Sequence, residues 1–354
     1  MKILIIQQKM IGDVLASSIL FEAIKQKFPN AELHYLINTH TFPVVDQNPF
    51  IDEIQFFSPE HEKSKLKLFK LAKQLRKENY DVIIDVYSKL SSNLITFFSK
   101  AKIKISIDKG RNKLLYNNLH KHKAKADTNA GLAIENRLQL LQSLDIDTTK
   151  IVRPKIYLTR EEESAAKAFL ESNYIDTNKP LYMIGVLGSG ANKTYPYEYM
   201  ATVIDTIVNT HPESQILFNY IPKQEADAKA ILDLCESQTQ KHIYFEVFGK
   251  SLRDFLAITS HCDALIGNEG GAINMAKALN IPTFTIFSPW IKKEAWNMFD
   301  DGKKHVSVHL KDYDGQPYLN INHPKELKSE ASDLYLKFKP TFFEDSLVEF
   351  LKRL

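Results

Sequence analysis

Glycine is scarce in this sequence, and its distribution is uneven. The chain has 12 glycines among 354 residues, whereas an average composition contains about 7% glycine. Glycine suits sharp turns and close approaches of the backbone to a ligand, so scarce glycines are expected to be placed for such reasons. Most of them follow predicted strands, where open α/β sheets bind ligands. Seven lie in one part of the chain: Gly185, Gly188, Gly190, Gly249, Gly267, Gly270 and Gly271.

Cysteine and long apolar runs are also in short supply. Two cysteines, Cys235 and Cys262, cannot form a disulfide framework, which favours a reducing compartment. His261 next to Cys262 has poor spacing for a metal site, and we expect no bound metal. The apolar run after Lys2 is too short for a signal peptide, and no run approaches the ~18 apolar residues of a membrane span. We therefore expect a cytoplasmic protein.

The positive charge of the chain is local. The net charge is only +3, but residues 100–125 hold nine Lys or Arg and a single Asp. Such a run is commonly a solvated face. Apolar residues interleaved with it, such as Leu114 and Leu119, also fit a surface that meets anionic lipid or an anionic sugar at the inner membrane surface. Nucleic acid is a poorer fit, because no recognised binding module surrounds the run.

Strands and helices alternate along the chain in two series. This pattern predicts an α/β protein of two Rossmann-like domains, with parallel sheets facing a central cleft. A capping-box pattern from Thr159 to Glu162 opens the first helix of the second series. We expect domains at 1–158 and 159–335, and a terminal helix in 336–354 that packs back on either domain, the first being our candidate. The predicted strands are residues 3–6, 32–37, 82–86, 181–186, 215–219 and 243–247.

The segment 263–290 is predicted to form strand, glycine turn, helix and strand. Gly270 and Gly271 let the backbone approach a ligand after Glu269, and the helix then presents free N–H groups and the positive end of its dipole. This arrangement suits a phosphate or diphosphate. An ordinary βα turn, with glycines that only satisfy geometry, is the alternative.

Two further strand-to-helix turns carry candidate residues. Gly12 and Asp13 follow the first strand, and Asp13 is either a general base or an N-cap that accepts backbone N–H bonds. In the second series Lys193 follows Gly188 and Ser189, where it could neutralise a departing diphosphate or simply be solvated. Neither turn has the spacing of a P-loop.

With these motifs in order, a family resemblance is visible. The opening strand runs into Ile-Gly-Asp-Val-Leu at 11–15, Lys-Thr-Tyr-Pro follows at 193–196, and the segment 263–290 closes the series. The chain resembles the ADP-heptose:lipopolysaccharide heptosyltransferases, glycosyltransferase family nine, over nearly its whole length. Further matching segments are residues 28–32, 48–52, 80–85 and 249–252. The resemblance implies the GT-B fold.

The resemblance also implies roles for individual residues. Asp13 matches the general base that deprotonates the acceptor hydroxyl for an inverting attack. Lys193 and Ser189 match the loop that binds the donor phosphates, and Glu225 matches an acid that contacts the donor ribose. The remaining candidates are Gly188, Glu269, Gly270, Gly271 and Asn274 for donor binding, with Gly12, Lys109, Arg111 and Lys113 for the anionic acceptor.

The motif at 269–274 departs from the family pattern Asp-Thr-Gly-x-x-His. Glu269 is one methylene longer than Asp, Gly270 lacks the Thr hydroxyl, and Asn274 cannot carry the positive charge of a histidine. The helix N–H groups survive these changes, so diphosphate binding can persist while the preferred sugar changes.

The sequence thus predicts an inverting, metal-independent glycosyltransferase. It would move a sugar such as heptose from a nucleotide diphosphate, preferably ADP, to an acceptor like the lipopolysaccharide core, with no cofactor. Asp312 and Asp314 have the spacing of metal-dependent glycosyltransferases, but a turn is the simpler interpretation. The alternatives are a degenerate GT-B protein that acts as a nucleotide- or glycan-binding partner subunit, and another GT-B sugar-nucleotide enzyme such as an epimerase.

Overall fold

The computed structural model describes residues 1–110, 113–319, 321 and 324–354. The chain forms two compact units, Met1–Tyr157 and Leu158–Leu354; the sequence had placed the boundary one residue later. Each unit has one sheet of parallel strands with helices between them. None of the helices within the described residues is long and apolar enough to cross a membrane.

The first unit is built on a six-stranded sheet in the order β3-β2-β1-β4-β5-β6. Residues 3–6 of β1 and all of β4 are buried, as expected for central strands of a sheet covered on both faces. The strand order reverses between β1 and β4, and open α/β sheets bind ligands at such a point, beyond the carboxyl ends of the strands. The elements are β1 Lys2–Ile6, α1 Ile11–Ser17, α2 Ile19–Lys27, β2 Glu32–Asn38, β3 Glu53–Phe57, α3 Pro59–Lys63, α4 Lys65–Lys77, β4 Val82–Asp85, α5 Leu90–Phe98, β5 Ile103–Ile107, β6 Asn118–His120 and α6 Leu132–Leu138.

The second unit has a five-stranded sheet in the order β11-β10-β9-β7-β8. Its order reverses between β7 and β9, which pair in parallel from Tyr182 opposite Ala264 to Gly185 opposite Gly267. The elements are α7 Arg160–Ser172, β7 Leu181–Gly185, α8 Tyr197–Thr210, β8 Gln215–Phe218, α9 Glu225–Leu234, α10 Ser237–Gln240, α11 Leu252–Thr259, β9 Ala264–Asn268, α12 Gly271–Ala278, β10 Thr283–Ile286, α13 Lys293–Trp296, β11 His305–Val308, α14 Ala331–Lys337 and α15 Glu344–Leu351.

Two local patterns were read correctly from the sequence. Thr159 and Glu162 form the reciprocal capping box at the start of α7: the Glu162 N–H donates to Thr159 Oγ1 at 3.2 Å, and the Thr159 N–H to Glu162 Oε2 at 2.8 Å. The segment 263–290 contains β9, the glycine turn, α12 and β10.

The strand predicted at 243–247 is wrong. Only Ile243 forms a bridge, to Ile216 of β8. The Val247 N–H donates back to the Tyr244 carbonyl oxygen at 3.1 Å, so the chain turns instead of extending the ladder. Phe245 stacks on Tyr220 with ring centroids 5.0 Å apart, which supplies packing that needs no strand.

The C-terminal helix corrects a second expectation. The sequence favours the first domain as its partner, but α15 belongs to the second unit and packs on α8. Its apolar residues Leu347, Phe350 and Leu351 are buried in the core of that unit. The Phe350 ring lies 5.7 Å from that of Phe284 on β10, so the helix covers one face of the second sheet.

Truncating Phe350 tests this packing. Phe350→Ala should lower the free energy of unfolding by about 3–5 kcal/mol, because a fully buried aromatic ring is replaced by a cavity. At this unit's size that is about a 10 °C drop in the melting temperature measured by calorimetry. The matched control is the exposed neighbour Glu349→Ala, which should melt like the wild type. Equal melting of both variants would contradict the packing.

Candidate active site

Lys193 and Glu269 meet at the switch point of the second sheet. Lys193 ends a short 3-10 helix, Ala191–Lys193, in the loop after β7, and Glu269 directly follows β9. The Lys193 Nζ lies 3.0 Å from Glu269 Oε1, and the Glu269 side chain is only 9% exposed. That carboxylate oxygen has no aligned hydrogen bond among the described residues. The two residues therefore form a charge pair whose oxygen can still accept a hydrogen bond.

The Glu269 charge also acts on the hydroxyl of Tyr335 in α14. Burial raises the pKa of the Tyr335 hydroxyl; the nearby Ser288 side chain opposes the shift, and the negative charge of Glu269 adds to it. The hydroxyl has no aligned hydrogen bond within the described part of the chain. A neutral phenol donor is thus held near the carboxylate.

Two glycines make this arrangement possible through close approaches of the backbone. A Cβ on Gly188 would lie 2.1 Å from the Lys193 carbonyl oxygen, so only glycine lets the loop fold back on itself there. Gly267 has φ +135°, and a Cβ would lie 2.4 Å from the Gly185 carbonyl oxygen of the neighbouring strand. Glycine at these positions is therefore explained by geometry.

Asn268 is a site residue that sequence reasoning missed. Its Oδ1 accepts the Tyr195 N–H at 2.7 Å. Its Nδ2 donates to the carbonyl oxygens of Gly185 and Val186, both at 2.9 Å. The buried amide thus ties the end of β9 to the end of β7 and to the loop that carries Lys193. A polar residue that ends the apolar strand 264–268 was the available signal.

Ser288 and Trp290 fix the same loop from the other side. The Ser288 hydroxyl and the Trp290 indole N–H both donate to the Asn192 carbonyl oxygen, at 2.8 and 2.7 Å. The peptide between Asn192 and Lys193 is therefore anchored by two hydrogen bonds to its carbonyl oxygen.

The N-terminus of α12 is open beside this pair. Gly270, with φ +156°, precedes the eight-residue helix, and no heavy atom lies within 4 Å of the position a Cβ would take there. The first N–H groups of a helix lack intrahelical acceptors and carry its positive dipole end. Gly271 and the half-buried Asn274 lie in this first turn. The carboxylate of Glu269, the Lys193 ammonium and these N–H groups converge on one region.

A cavity of about 240 Å³ lies on the other side of the Lys193 loop. Gly188 and the exposed Ser189 line it, together with Tyr197, Gln224 and Asp227. Burial, with a hydrogen bond to Asp227, raises the pKa of Tyr197 to about 12.

Glu225, our candidate for contact with the donor ribose, lies outside the lining of this cavity. It is the exposed first residue of α9. Its neighbour Gln224 donates from Nε2 to the Gly188 carbonyl oxygen at 3.2 Å. The role of Glu225 stays a prediction.

In the first unit, Asp13 is not the N-cap of its helix. That position belongs to Met10, whose φ of +64° is unusual for a residue other than glycine, and Asp13 is the third residue of α1. The Asp13 carboxylate instead accepts a hydrogen bond from Arg137 Nη2 at 2.7 Å. Arg137 also donates to Ser17 Oγ at 2.8 Å and to the Ala133 carbonyl oxygen at 2.6 Å. Sequence reasoning found Asp13 and missed the arginine that orients it.

The carboxyl end of β4 holds a buried carboxylate, Asp85, which pairs in register with Ile6 of β1. It accepts hydrogen bonds from the Ser88 N–H at 2.7 Å and from the Tyr116 hydroxyl. Burial raises the pKa of Asp85, although the Tyr116 and Ser88 hydrogen bonds oppose the shift. An acid that ends the apolar run at 82–85 was the signal for this residue.

The basic run at 100–125 is not one continuous surface. Residues 103–107 form β5, of which residues 105–107 are buried. The Lys109 ammonium donates to the Tyr87 and Ser88 carbonyl oxygens at 2.9 and 3.1 Å, and burial lowers its pKa. Lys113 is exposed, and Gly12 lies in the first turn of α1. Arg111 lies outside the described residues.

One side-chain group in the described part of the chain has metal-ligand spacing, and it lies at the amino ends of the strands. His34 Nε2 is 2.9 Å from Glu32 Oε1 and 3.3 Å from Glu53 Oε2, while the Lys2 ammonium lies 3.1 Å from the same Glu32 oxygen. The Lys2 ammonium thus already provides a positive charge beside Glu32. Asp312 likewise pairs with Lys293, at 2.6 Å.

The Asn268 amide gives a stability prediction. Asn268→Ala should lower the free energy of unfolding by at least about 2 kcal/mol, because a buried N–H and two carbonyl oxygens lose their partners. Ser189→Ala, an exposed change in the tied loop, is the control and should unfold like the wild type. Chemical denaturation of both variants measures the difference. An Asn268→Ala protein as stable as the control would show that the three hydrogen bonds contribute little.

With this geometry in place, comparisons with known proteins are informative. Residues 68–324 match the family described as glycosyltransferase family 9 (heptosyltransferase). Lipopolysaccharide heptosyltransferase 1 of Campylobacter coli is 25% identical over 325 residues, which span 88% of this chain and 92% of that protein.

Solved structures share the fold. The family 9 glycosyltransferase of Veillonella parvula aligns with a TM-score of 0.76 and 17% identity, over 95% of this chain and 97% of that one. The ADP-heptose lipopolysaccharide heptosyltransferase II of Escherichia coli aligns with a TM-score of 0.69 and 18% identity, over 96% and 99%. These alignments confirm the expected GT-B fold class. The family match covers most of the chain, which therefore belongs to glycosyltransferase family 9 and is a glycosyltransferase.

Proposed function

We propose that this enzyme transfers a sugar, with inversion, from an ADP-sugar to an acceptor like the lipopolysaccharide core. The observation that carries the proposal is the 3.0 Å contact between Lys193 and Glu269. An acid suited to sugar hydroxyls and a cation suited to phosphate lie side by side. The bond that breaks in a nucleotide sugar joins a sugar to a phosphate, because it links the anomeric carbon to a diphosphate oxygen.

The donor side stabilises the leaving group. As the bond between the anomeric carbon and the diphosphate oxygen breaks, negative charge grows on the β-phosphate. Lys193 and the first N–H groups of α12 are preorganised to meet that charge. Glu269 accepts hydrogen bonds from hydroxyls of the sugar and is expected to fix its orientation.

The acceptor side supplies the nucleophile. Asp13 takes the proton of the acceptor hydroxyl as the oxygen attacks the anomeric carbon from the face opposite the diphosphate, which inverts the configuration. Arg137 holds the Asp13 carboxylate in one orientation through its own network of hydrogen bonds. No step needs a metal ion or another cofactor, since Lys193 and the helix supply the positive charge.

The choice of ADP and heptose rests on the relatives. Proteins named as heptosyltransferases match over most of the chain, and one solved relative is named for ADP-heptose. Glu269, Gly270 and Asn274 depart from the family pattern, so heptose is the proposed sugar and the altered motif is the place where another sugar would be accommodated.

The acceptor is proposed to be an anionic glycolipid reached from the cytoplasmic face of the inner membrane. Lys109 and Lys113 are our candidates for its charged groups, with Lys109 bracing the loop after β4. Large apolar side chains are exposed in the same unit, among them Leu114 and the α5 residues Leu90 and Phe97. Apolar side chains beside lysines suit the boundary of an anionic bilayer.

Nucleotide selectivity tests the donor proposal. Thermal unfolding with ADP, UDP, GDP and CMP, in EDTA, should show selective stabilisation by ADP, of about 2.7 kcal/mol when ADP is present at 100 times its dissociation constant. ADP-heptose should then support transfer in EDTA. Selective stabilisation by UDP or GDP would contradict the ADP assignment, and a response to none of them would contradict the donor site itself.

Asp13→Asn tests the catalytic base. The amide keeps an oxygen for Arg137 but cannot take a proton, so turnover should fall by about 10²–10⁴ while ADP binding stays unchanged. Glu22→Gln is the control, because it breaks another ion pair of this unit, that with Lys155, and should leave turnover intact. Normal turnover in Asp13→Asn would reduce Asp13 to a structural partner of Arg137.

A further inference from the structure

Two lysine ammonium groups lie close to the Trp290 ring. The Nζ of Lys193 is 5.7 Å from the centroid of its ring, and the Nζ of Lys328 is 5.3 Å from the same centroid. The ring itself is 9% exposed and is fixed by the hydrogen bond from its indole N–H to the Asn192 carbonyl oxygen. Both ammonium groups therefore have defined positions beside the loop that presents Lys193.

The charged side chains around Trp290 have an excess of positive charge. Glu269 pairs with Lys193, and among the described residues no carboxylate forms an ion pair with Lys328. Asn274 adds no charge in the first turn of α12. Two ammonium groups beside one indole ring are accompanied by a single paired carboxylate, Glu269, and the positive end of the α12 dipole lies next to that carboxylate. The region is suited to a ligand that carries more than one negative charge.

Lys193 alone neutralises only part of the charge of such a ligand. Its charge is offset by a carboxylate 3.0 Å away, and that carboxylate would also repel a phosphate. Lys328 has no such partner in the described structure, and its side chain is exposed. Its ammonium is held only by the face of an indole ring, a contact weaker than a charge-assisted hydrogen bond to phosphate. Lys328 can therefore leave the ring for an anion at low cost.

We propose that Lys328 is a second phosphate-binding residue of the donor site, which contacts the β-phosphate of the nucleoside diphosphate while Trp290 holds it ready. The inference rests on the proposed function and adds a residue to the donor site. It also assigns Trp290 a role, that of holding Lys328 as well as the Lys193 loop. The simpler reading is a surface lysine that covers an indole ring.

The ratio of ADP to AMP affinity separates these readings. Calorimetric titration of Lys328→Gln should show ADP binding weakened by about tenfold or more, the loss expected for a hydrogen bond to a charged group. AMP binding should change by less than about twofold, since AMP has no β-phosphate. Lys328→Arg should recover most of the ADP affinity. Lys352→Gln removes the same charge from another exposed position and should bind ADP like the wild type.

Indole fluorescence supplies an independent readout. In a Trp296→Phe background Trp290 is the single tryptophan, because the chain has two. ADP should change its emission as Lys328 leaves the ring, AMP should change it less, and Lys328→Gln should abolish the difference. A structural lysine would alter the melting temperature and leave the ADP to AMP ratio unchanged.

The failures are distinguishable. If Lys328→Gln binds ADP as tightly as the wild type, this inference is overturned and the proposed function stands. Equal losses of ADP and AMP affinity in the variant would have the same consequence. Wild-type protein that binds no nucleoside diphosphate would overturn the donor site and this inference together. A preference for UDP or GDP would correct the base alone, and the same comparison would then be made with UMP or GMP.

Discussion

The Asn268 side chain makes the three hydrogen bonds on which the second unit's site depends. They join the end of β9 to the end of the adjacent parallel strand β7 and to the backbone N–H of Tyr195, two residues after Lys193. The strand order reverses between these two strands, so their carboxyl ends leave room that crossover helices do not fill. Because Asn268 is buried, its hydrogen bonds are shielded from water, and breaking them leaves unpaired groups. The backbone positions from which Lys193 and Glu269 extend are therefore set by the sheet.

Close backbone packing is the second part of the same constraint. Gly188 and Gly267 stand where a Cβ would meet a carbonyl oxygen, at 2.1 and 2.4 Å. In a chain with few glycines these two positions are explained by contacts within the protein, whereas a Cβ at Gly270 would meet open space and one at Gly271 only the end of the Met275 side chain, at 4.0 Å. The sequence argument that scarce glycines mark ligand contacts stays a prediction for Gly270 and Gly271, while Gly188 and Gly267 serve the packing that positions the site.

Repeating patterns could be read from the sequence, and pairings between distant residues could not. Alternating strands and helices, the Thr159 capping box and the glycine turn after β9 are local, so the order of residues suffices to predict them. Arg137 lies 124 positions from Asp13, and no local pattern announces their contact. The residues 243–247 have strand-like composition, yet the aromatic stack of Phe245 on Tyr220 and a turn at Val247 replace the ladder. Tertiary packing decides such cases.

The two catalytic candidates are held by opposite means, and this difference follows from their chemistry. In the proposed reaction Asp13 presents one oxygen to a hydroxyl, which requires a fixed direction, and Arg137 with its several hydrogen bonds supplies a rigid partner. In the proposed reaction Lys193 meets a phosphate that gains charge and then leaves, for which a compact ammonium needs a fixed position more than a fixed hydrogen-bond direction. Its contacts are a misaligned carboxylate and an aromatic face, neither of which fixes a direction. A base with a fixed direction and a cation with a fixed position but no fixed hydrogen-bond direction are what the proposed inverting transfer needs.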